Sequence, residues 1–229
     1  MEIINSIGVE GARQARGIAV VIDVLRSFTV SAYALAGGAR ECRLVTTTDE
    51  ARALVAASPH AVICAEEEGL PVKGIAISNS PTQIRAVDLS GRILVQRSSA
   101  GTPVAAAVRE GTDIFAASLV VARATVQACL LRRPSILTLI ASADFPEDHA
   151  CARYMEAIIN GESPDIDRLL RPLKESERYA RLMSGTWPGF PRTDLELALE
   201  PDRFDFAMPL TREAGYLRLT RADQPITKG

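Results

Sequence analysis

Several residue types are scarce in this sequence, and each scarcity removes a class of function. There are two histidines, His60 and His149, too few for a phosphohistidine relay or a multi-histidine metal centre. Both read as surface or cap residues. The four cysteines, Cys42, Cys64, Cys129 and Cys151, stand far apart. No C-x-x-C pair occurs, and no cysteine has an arginine six positions on, which excludes a disulfide framework and a thiol-phosphatase loop. Free thiols in a reducing cytosol are expected. Long apolar runs are missing too: Ile18 to Ile22, continued by Val24 and Leu25, is broken by Asp23 and is too short to span a bilayer. No signal-peptide pattern precedes it, so a cytoplasmic protein without a membrane partner is expected. Lysine is almost absent, at 3 residues against 23 arginines, and 28 acids outweigh the 26 bases for a net charge of −2. Without a bulk positive field, nucleic acid is not an expected partner. The arginines still supply fork-shaped anion binders for a local pocket. Neither a Gly-x-x-x-x-Gly-Lys loop nor a Gly-x-Gly-x-x-Gly fingerprint occurs, and there is no Gly-x-Ser-x-Gly elbow. Leu25 stands two residues after Asp23, where a haloacid-dehalogenase-type phosphatase would need a second aspartate.

What is present is enough apolar residue, 47% of 229, to bury a full core. Apolar runs predict strands at Ile18 to Val24, Glu41 to Val45, Ala61 to Ala65, Arg92 to Gln96, Asp113 to Ala117 and Ser135 to Ala141. Helical periodicity fills the gaps. A βα unit every 20 to 30 residues, with strands apolar on both faces, predicts an α/β fold of three layers, α/β/α, around a mostly parallel sheet. Ala36-Gly37-Gly38 closes the first helix, Thr47-Thr48-Asp49-Glu50 opens the second, and Gly161 closes one that begins near Pro146. The expected organisation is one domain over 1–229. Its core spans about 15–161, a helical and proline-rich cover spans 162–200, with a helical stretch from Lys174 to Met183, and C-terminal strands fill 201–229.

In such a sheet, ligands gather where βα loops and helix N-termini converge. After the first strand, Asp23-Val24-Leu25-Arg26-Ser27-Phe28-Thr29 places an acid, a guanidinium and hydroxyls together, which suits either a metal-assisted phosphate site or an ion pair with a helix cap. Glu66-Glu67-Glu68-Gly69 crowds three acids after the third strand. Ser78-Asn79-Ser80-Pro81-Thr82-Gln83 predicts Ser80 as an N-cap, with Gln83 at capping-box spacing. Arg97-Ser98-Ser99-Ala100-Gly101-Thr102-Pro103 is a hydroxyl-rich turn with Thr102 as the expected cap. Asp144 and Glu147 have capping-box spacing before the last core helix. Each segment has a structural explanation, but a merely solvated edge requires no such recurrence.

Taken in order, these segments resemble the 2-phosphosulfolactate phosphatases, the ComB family. Asp23-Val24-Leu25-Arg26-Ser27-Phe28-Thr29 is similar to that family's Asp-Val-Leu-Arg-Ala-Thr-Thr. Ala65-Glu66-Glu67 stands at its Gly-Glu-Arg, Gly74 with Ser78-Asn79-Ser80-Pro81 at its Gly-Phe-x-x-Gly-Asn-Ser-Pro, and Ser98 to Thr102 at its Asn-Gly-Thr turn. Glu147-Asp148 with Cys151-Ala152 matches its Glu-Asp-x-x-Cys-Ala-Gly. The resemblance implies a ComB-like fold and Mg²⁺-dependent hydrolysis of the phosphate ester of a small 2-hydroxy acid, the archetype being 2-phosphosulfolactate on the route to coenzyme M. It also implies roles. Asp23, Arg26, Glu66 and Asp148 would be catalytic. Asp23, Glu66, Glu147 and Asp148 would hold Mg²⁺. Arg26, Ser27, Asn79, Ser80, Arg97, Ser98, Ser99, Gly101, Thr102 and Ser118 would meet substrate or phosphate. Three positions depart from the pattern: Glu67 replaces its Arg, Ala100 its Asn before Gly-Thr, and Val121 its Asn after Gly-Ser-Phe-x. These changes imply a shifted substrate, or the alternative of a non-catalytic small-anion-binding protein on a degenerate phosphatase scaffold. Whether the chain forms a homo-oligomer is left open.

Overall fold

A computed structural model describes residues 1–223; residues 224–229, the end of the expected C-terminal strand region, lie outside the described residues. The strands are β1 (Glu2–Ile7), β2 (Ile18–Ile22), β3 (Glu41–Val45), β4 (Ala61–Glu67), β5 (Leu70–Pro71), β6 (Ile93–Arg97), β7 (Ile114–Ala117), β8 (Ile136–Ala141), β9 (Phe206–Glu213), β10 (Tyr216–Leu219) and β11 (Ala222–Asp223). The helices are α1 (Gly8–Arg13), α2 (Ser27–Ala36), α3 (Thr48–Ala56), α4 (Pro81–Arg85), α5 (Gly101–Ala107), α6 (Ala122–Leu131), α7 (Pro146–Ile159), α8 (Ile166–Leu169), α9 (Arg171–Lys174), α10 (Glu177–Met183) and α11 (Thr193–Ala198). All six strands expected from the apolar runs form. Their composition follows from burial on both faces. In β2, Ala19 and Val21 pack with α2 and α5 on one side, while Ile18, Val20 and Ile22 pack with α6 and α7 on the other. The result is the expected three-layer α/β/α arrangement.

The sheet runs β1-β8-β2-β7-β9-β10-β3-β6-β4-β5, with β11 paired to β9. Pairing is parallel through β1-β8-β2-β7 and again through β3-β6-β4. Between these blocks the β9-β10 hairpin makes three antiparallel contacts in a row, so the two blocks run in opposite senses. The loops expected at one common edge therefore follow strands of opposite direction. Neighbouring strands rotate by roughly 20–25° each, and over the five steps from β2 to β6 this exceeds a right angle. The carboxyl ends of the two blocks thereby turn toward each other.

Some local expectations are corrected. β1 and α1 extend the sheet ahead of the expected core; β1 is a half-exposed edge strand paired to β8. Gly17 lets the chain pass from α1 into β2, since its φ is +66° and a Cβ there would sit 2.0 Å from the Ile136 carbonyl oxygen. The Thr47–Glu50 capping box forms as expected. Ser80 caps α4, but the Gln83 side chain accepts from the Ser78 N–H rather than reaching back to Ser80. Thr102 is not a cap: α5 begins at Gly101, the Thr102 hydroxyl donates to the Ser98 carbonyl, and Ser98 Oγ accepts from the Thr102 N–H. Asp144 does not cap α7 either; it is exposed and pairs with His149. In the cover, the stretch expected from Lys174 to Met183 is split, because Ser176 ends one turn and caps α10. The cover has its own small core of Leu182, Phe190 and Leu195. All four cysteines are free and buried. Among the described residues no helix is long and apolar enough to cross a membrane.

Candidate active site

Where the two blocks turn together there is a cavity of about 320 Å³. Its floor comes from core loops through Asp23, Arg26, Glu66, Asn79 and Ser99, and its roof from the cover through Arg178, Leu182, Trp187 and Phe190.

Asp23 ends β2 and is 4% exposed. Its Oδ1 accepts from the Ser27 N–H at 2.9 Å, which ties it to the first turn of α2. Gly101 comes so close that a Cβ there would lie 2.6 Å from Asp23 Oδ2. Burial pushes the Asp23 acid up to about 6 against the pull of the Ser27 N–H, and the charges of Glu66 and Glu147 push the same way. Asp148 is also raised, by burial first and then by the charge of Asp23. Its two oxygens accept from the Val24 N–H and the Ser142 hydroxyl, each at 2.8 Å, so it clamps α7 to the chain leaving β2.

Glu66 ends β4 at 5% exposure and is saturated with donors. Oε1 accepts from the Ser99 N–H, and Oε2 from the Gly69 N–H and the Ser99 hydroxyl. Arg97 donates to the Glu66 carbonyl and to Ser99 Oγ, fastening the same loop pair. Arg26 lines the cavity but is already paired: its Nη1 donates to Asp194 Oδ2 at 2.8 Å and to the Gly189 carbonyl, and its guanidinium lies 4.2 Å over Phe190. Asp194 is fully buried and also accepts from the Ser80 hydroxyl and the Thr82 N–H. Two core segments, the Arg26 loop and the Ser80–Thr82 turn, thus converge on one carboxylate of the cover. Glu147 is buried, with Oε1 accepting from Nε and Nη2 of Arg178 at 3.2 and 3.0 Å, while its Oε2 has no partner among the described residues.

The structure therefore sorts the expected site residues. Asp23, Arg26, Glu66, Asn79 and Ser99 line the cavity. Ser27, Ser80, Arg97, Ser98, Gly101 and Thr102 stand behind it as the hydrogen-bonded frame. Asn79 Oδ1 accepts from Gln96, which also donates to Ser27 and accepts from Ser31. Ser118, just after β7, is buried, its hydroxyl has no partner among the described residues, and it does not line the cavity. Of the departures, Glu67 is exposed and bonded to Thr48, Val121 is core, and Ala100 lines the cavity. Glu68 brings an acid to the cavity in place of Glu67. Sequence reasoning missed Arg178, Trp187, Phe190, Asp194 and Phe145. The one signal for them was the sole tryptophan, set in Trp187-Pro188-Gly189-Phe190-Pro191.

No three of the acids converge as a metal-holding group among the described residues. One buried oxygen keeps spare capacity nonetheless: Oε2 of Glu147, which has no partner among the described residues and whose charge acts on Asp23, although Glu147 and Asp148 stand behind the cavity lining. Mg²⁺ is commonly held by one or two carboxylates, with water and substrate phosphate completing the shell. The donor set fits that pattern, with Glu66 and Asp148 bracing the loops on either side.

The family model described as 2-phosphosulpholactate phosphatase matches residues 8–212. The chain is 30% identical over 200 residues to a probable 2-phosphosulfolactate phosphatase of Bacillus subtilis, covering 86% of this chain and 88% of that one. Its likeness to one of Thermoplasma acidophilum is 28% over 188 residues, 81% and 82% of the two chains. Against one of Thermotoga maritima it is 36% over 109 residues, 48% and 47%. With the match running from α1 into β9 and across every loop of the cavity floor, the chain belongs to the 2-phosphosulfolactate phosphatase family.

Proposed function

We propose that the protein is a Mg²⁺-dependent phosphatase acting on the phosphate ester of a small 2-hydroxy acid, 2-phosphosulfolactate-like in its reacting part. The observation that carries this reading is Asp23, a buried carboxylate lining the cavity with its acid pushed up to about 6. A cation bound beside this carboxylate would favour its ionised form and offset its burial among other acids. Bound Mg²⁺ would neutralise phosphate charge and acidify a water; Asp23 and Glu147 are the residues to hold it. Arg26 and Arg178 set positive charge beside the position of the phosphoryl group. Glu66 and Arg97 hold the Ser99 turn in place, and the cover excludes bulk water. A net charge of −2 supports a small-molecule substrate over nucleic acid, in keeping with the cytoplasmic location expected from the sequence.

The test is phosphate release from a panel of phosphorylated 2-hydroxy acids, with Mg²⁺ or chelator. Release that needs Mg²⁺ and disappears in Asp23→Asn is the expected result. Silence across the panel from folded protein would favour the small-anion-binding alternative.

A further inference from the structure

The cavity does not offer charge for three anionic groups. Its cations are Arg26 and Arg178, and each is already held by a buried carboxylate, Asp194 and Glu147 respectively. Against them the lining carries three acids, Asp23, Glu66 and Glu68. A phosphate can be met by the paired guanidiniums with a divalent cation, which leaves no unpaired cation on the wall for a further strong anion. A buried charge without a partner is strongly disfavoured. The rest of the wall carries no charge: beside Asn79 and Ser99 of the floor it is made of Leu25 and Phe145 from the core, and Leu182, Trp187 and Phe190 from the cover. Leu182 and Phe190 are buried in the cover's own core, so this face is a packed surface rather than a few loose side chains.

One polar atom lies buried behind that apolar face. The indole Nε1 of Trp187 is buried and has no acceptor among the described residues, although the residue lines the cavity. Its ring is held in place by Arg181, whose guanidinium lies 4.0 Å from the ring centroid. A single fixed N–H is matched to a single acceptor oxygen, such as one carboxylate oxygen of a 2-hydroxy acid. A sulfonate brings three oxygens and a full charge, and one neutral donor does not replace its water shell.

We infer that the third substituent of the substrate, the one beyond the phosphate ester and the carboxylate, is an uncharged apolar group seated on the Leu25, Phe145, Leu182, Trp187 and Phe190 wall, so that the preferred substrates are alkyl- or aryl-substituted 2-phosphohydroxy acids rather than sulfonated ones. This inference rests on the phosphatase reading for its chemistry, but its test has a readout that does not need turnover. Trp187 is the only tryptophan in the chain, so intrinsic fluorescence reports occupancy of this wall directly.

The experiment compares phospholactate, its phenyl-substituted homologue and 2-phosphosulfolactate with Mg²⁺ present, by phosphate release and by Trp187 fluorescence titration, in the wild type and in Glu68→Arg. The expected result is a kcat/KM and an affinity for the phenyl-substituted ester at least about tenfold above those for the sulfonated one. Glu68→Arg, which reverses the charge of a cavity-lining residue, should narrow that ratio by improving the sulfonated ester more than the phenyl-substituted one. Fluorescence preference for the phenyl ester without turnover would sink the phosphatase reading and keep the apolar assignment. Tighter binding of the sulfonated ester, or no fluorescence response to any ester that is hydrolysed, would overturn the assignment and leave the phosphatase standing. If no ester is either bound or hydrolysed, both readings fall.

Discussion

Asp23 and Glu66 end strands in opposite blocks of the sheet, are buried to the same depth and face the same cavity, yet they are equipped for different work. Asp23 receives a close N–H from Ser27, lies among other acids and is pushed up to about 6. Glu66 receives three donors from two backbone turns, which spread its charge over fixed N–H and O–H groups. At equal burial the two carboxylates differ in what surrounds them: other acids beside Asp23, and fixed N–H and O–H donors on both oxygens of Glu66.

The largest test of this contrast is activity. Asp23→Asn should lower phosphate release on the order of a thousandfold or more, the scale seen when a charged catalytic group is removed, with an unchanged circular dichroism spectrum. Next comes a third buried carboxylate, Asp194, which gathers Arg26, Ser80 and Thr82. Asp194→Ala leaves Arg26 buried and unpaired and should reduce stability by about 3–5 kcal/mol; a urea midpoint within error of the wild type would show that the cover is not anchored there.

A pH series sharpens the comparison further. The folded-state value for Asp23, about 6, lies above its ordinary 3.8, so the folded chain holds this proton more tightly than the unfolded chain does. Ionised Asp23 therefore opposes folding above pH 6 by about 3 kcal/mol, and that opposition fades as pH falls toward 4. Metal-free Asp23→Asn should accordingly be more stable than the wild type at pH 7.5 and lose that advantage near pH 4, as read by thermal melts in chelator. A variant equally displaced at both pH values would mean that Asp23 is not strained by its surroundings. The smallest effect is expected for Glu66→Gln, which keeps the shape but weakens charge-assisted hydrogen bonds: about 1–2 kcal/mol of stability and about a tenfold loss of turnover. A thousandfold loss there would erase the distinction between the two acids.

The parts of the molecule legible in the sequence are those where local pattern and tertiary demand coincide. Strands β2, β3, β4, β6, β7 and β8 are buried on both faces, so their apolar runs announce them, and Thr47 with Glu50 spells a cap that needs no partner from elsewhere. β1 was not legible, because an edge strand reading Glu-Ile-Ile-Asn-Ser-Ile is half solvated and carries no such run. The opposed senses of the two blocks come from pairing between β9, β10 and distant strands, which no local spacing encodes. At the site the floor was readable from loop chemistry, whereas Arg178, Trp187 and Asp194 arrive from the cover, more than a hundred residues beyond Asp23 and Arg26. Among the readable residues, frame and lining were indistinguishable in advance. Ser98 and Ser99 are adjacent, yet one bonds inward to Thr102 and the other faces the cavity.

The β9-β10 hairpin has a further consequence for the order in which the protein is made. It is synthesised after every strand of the two parallel blocks, yet it stands between them, joining β7 on one side to β3 on the other. A nascent chain that has not reached Phe206 carries both halves of the cavity floor on sheets that end in open edges, each a template for pairing with the wrong strand. Assembly of the site is thereby postponed until the hairpin has been made, and a chain that stalls before Phe206 has every floor residue present and no sheet continuity to bring them together.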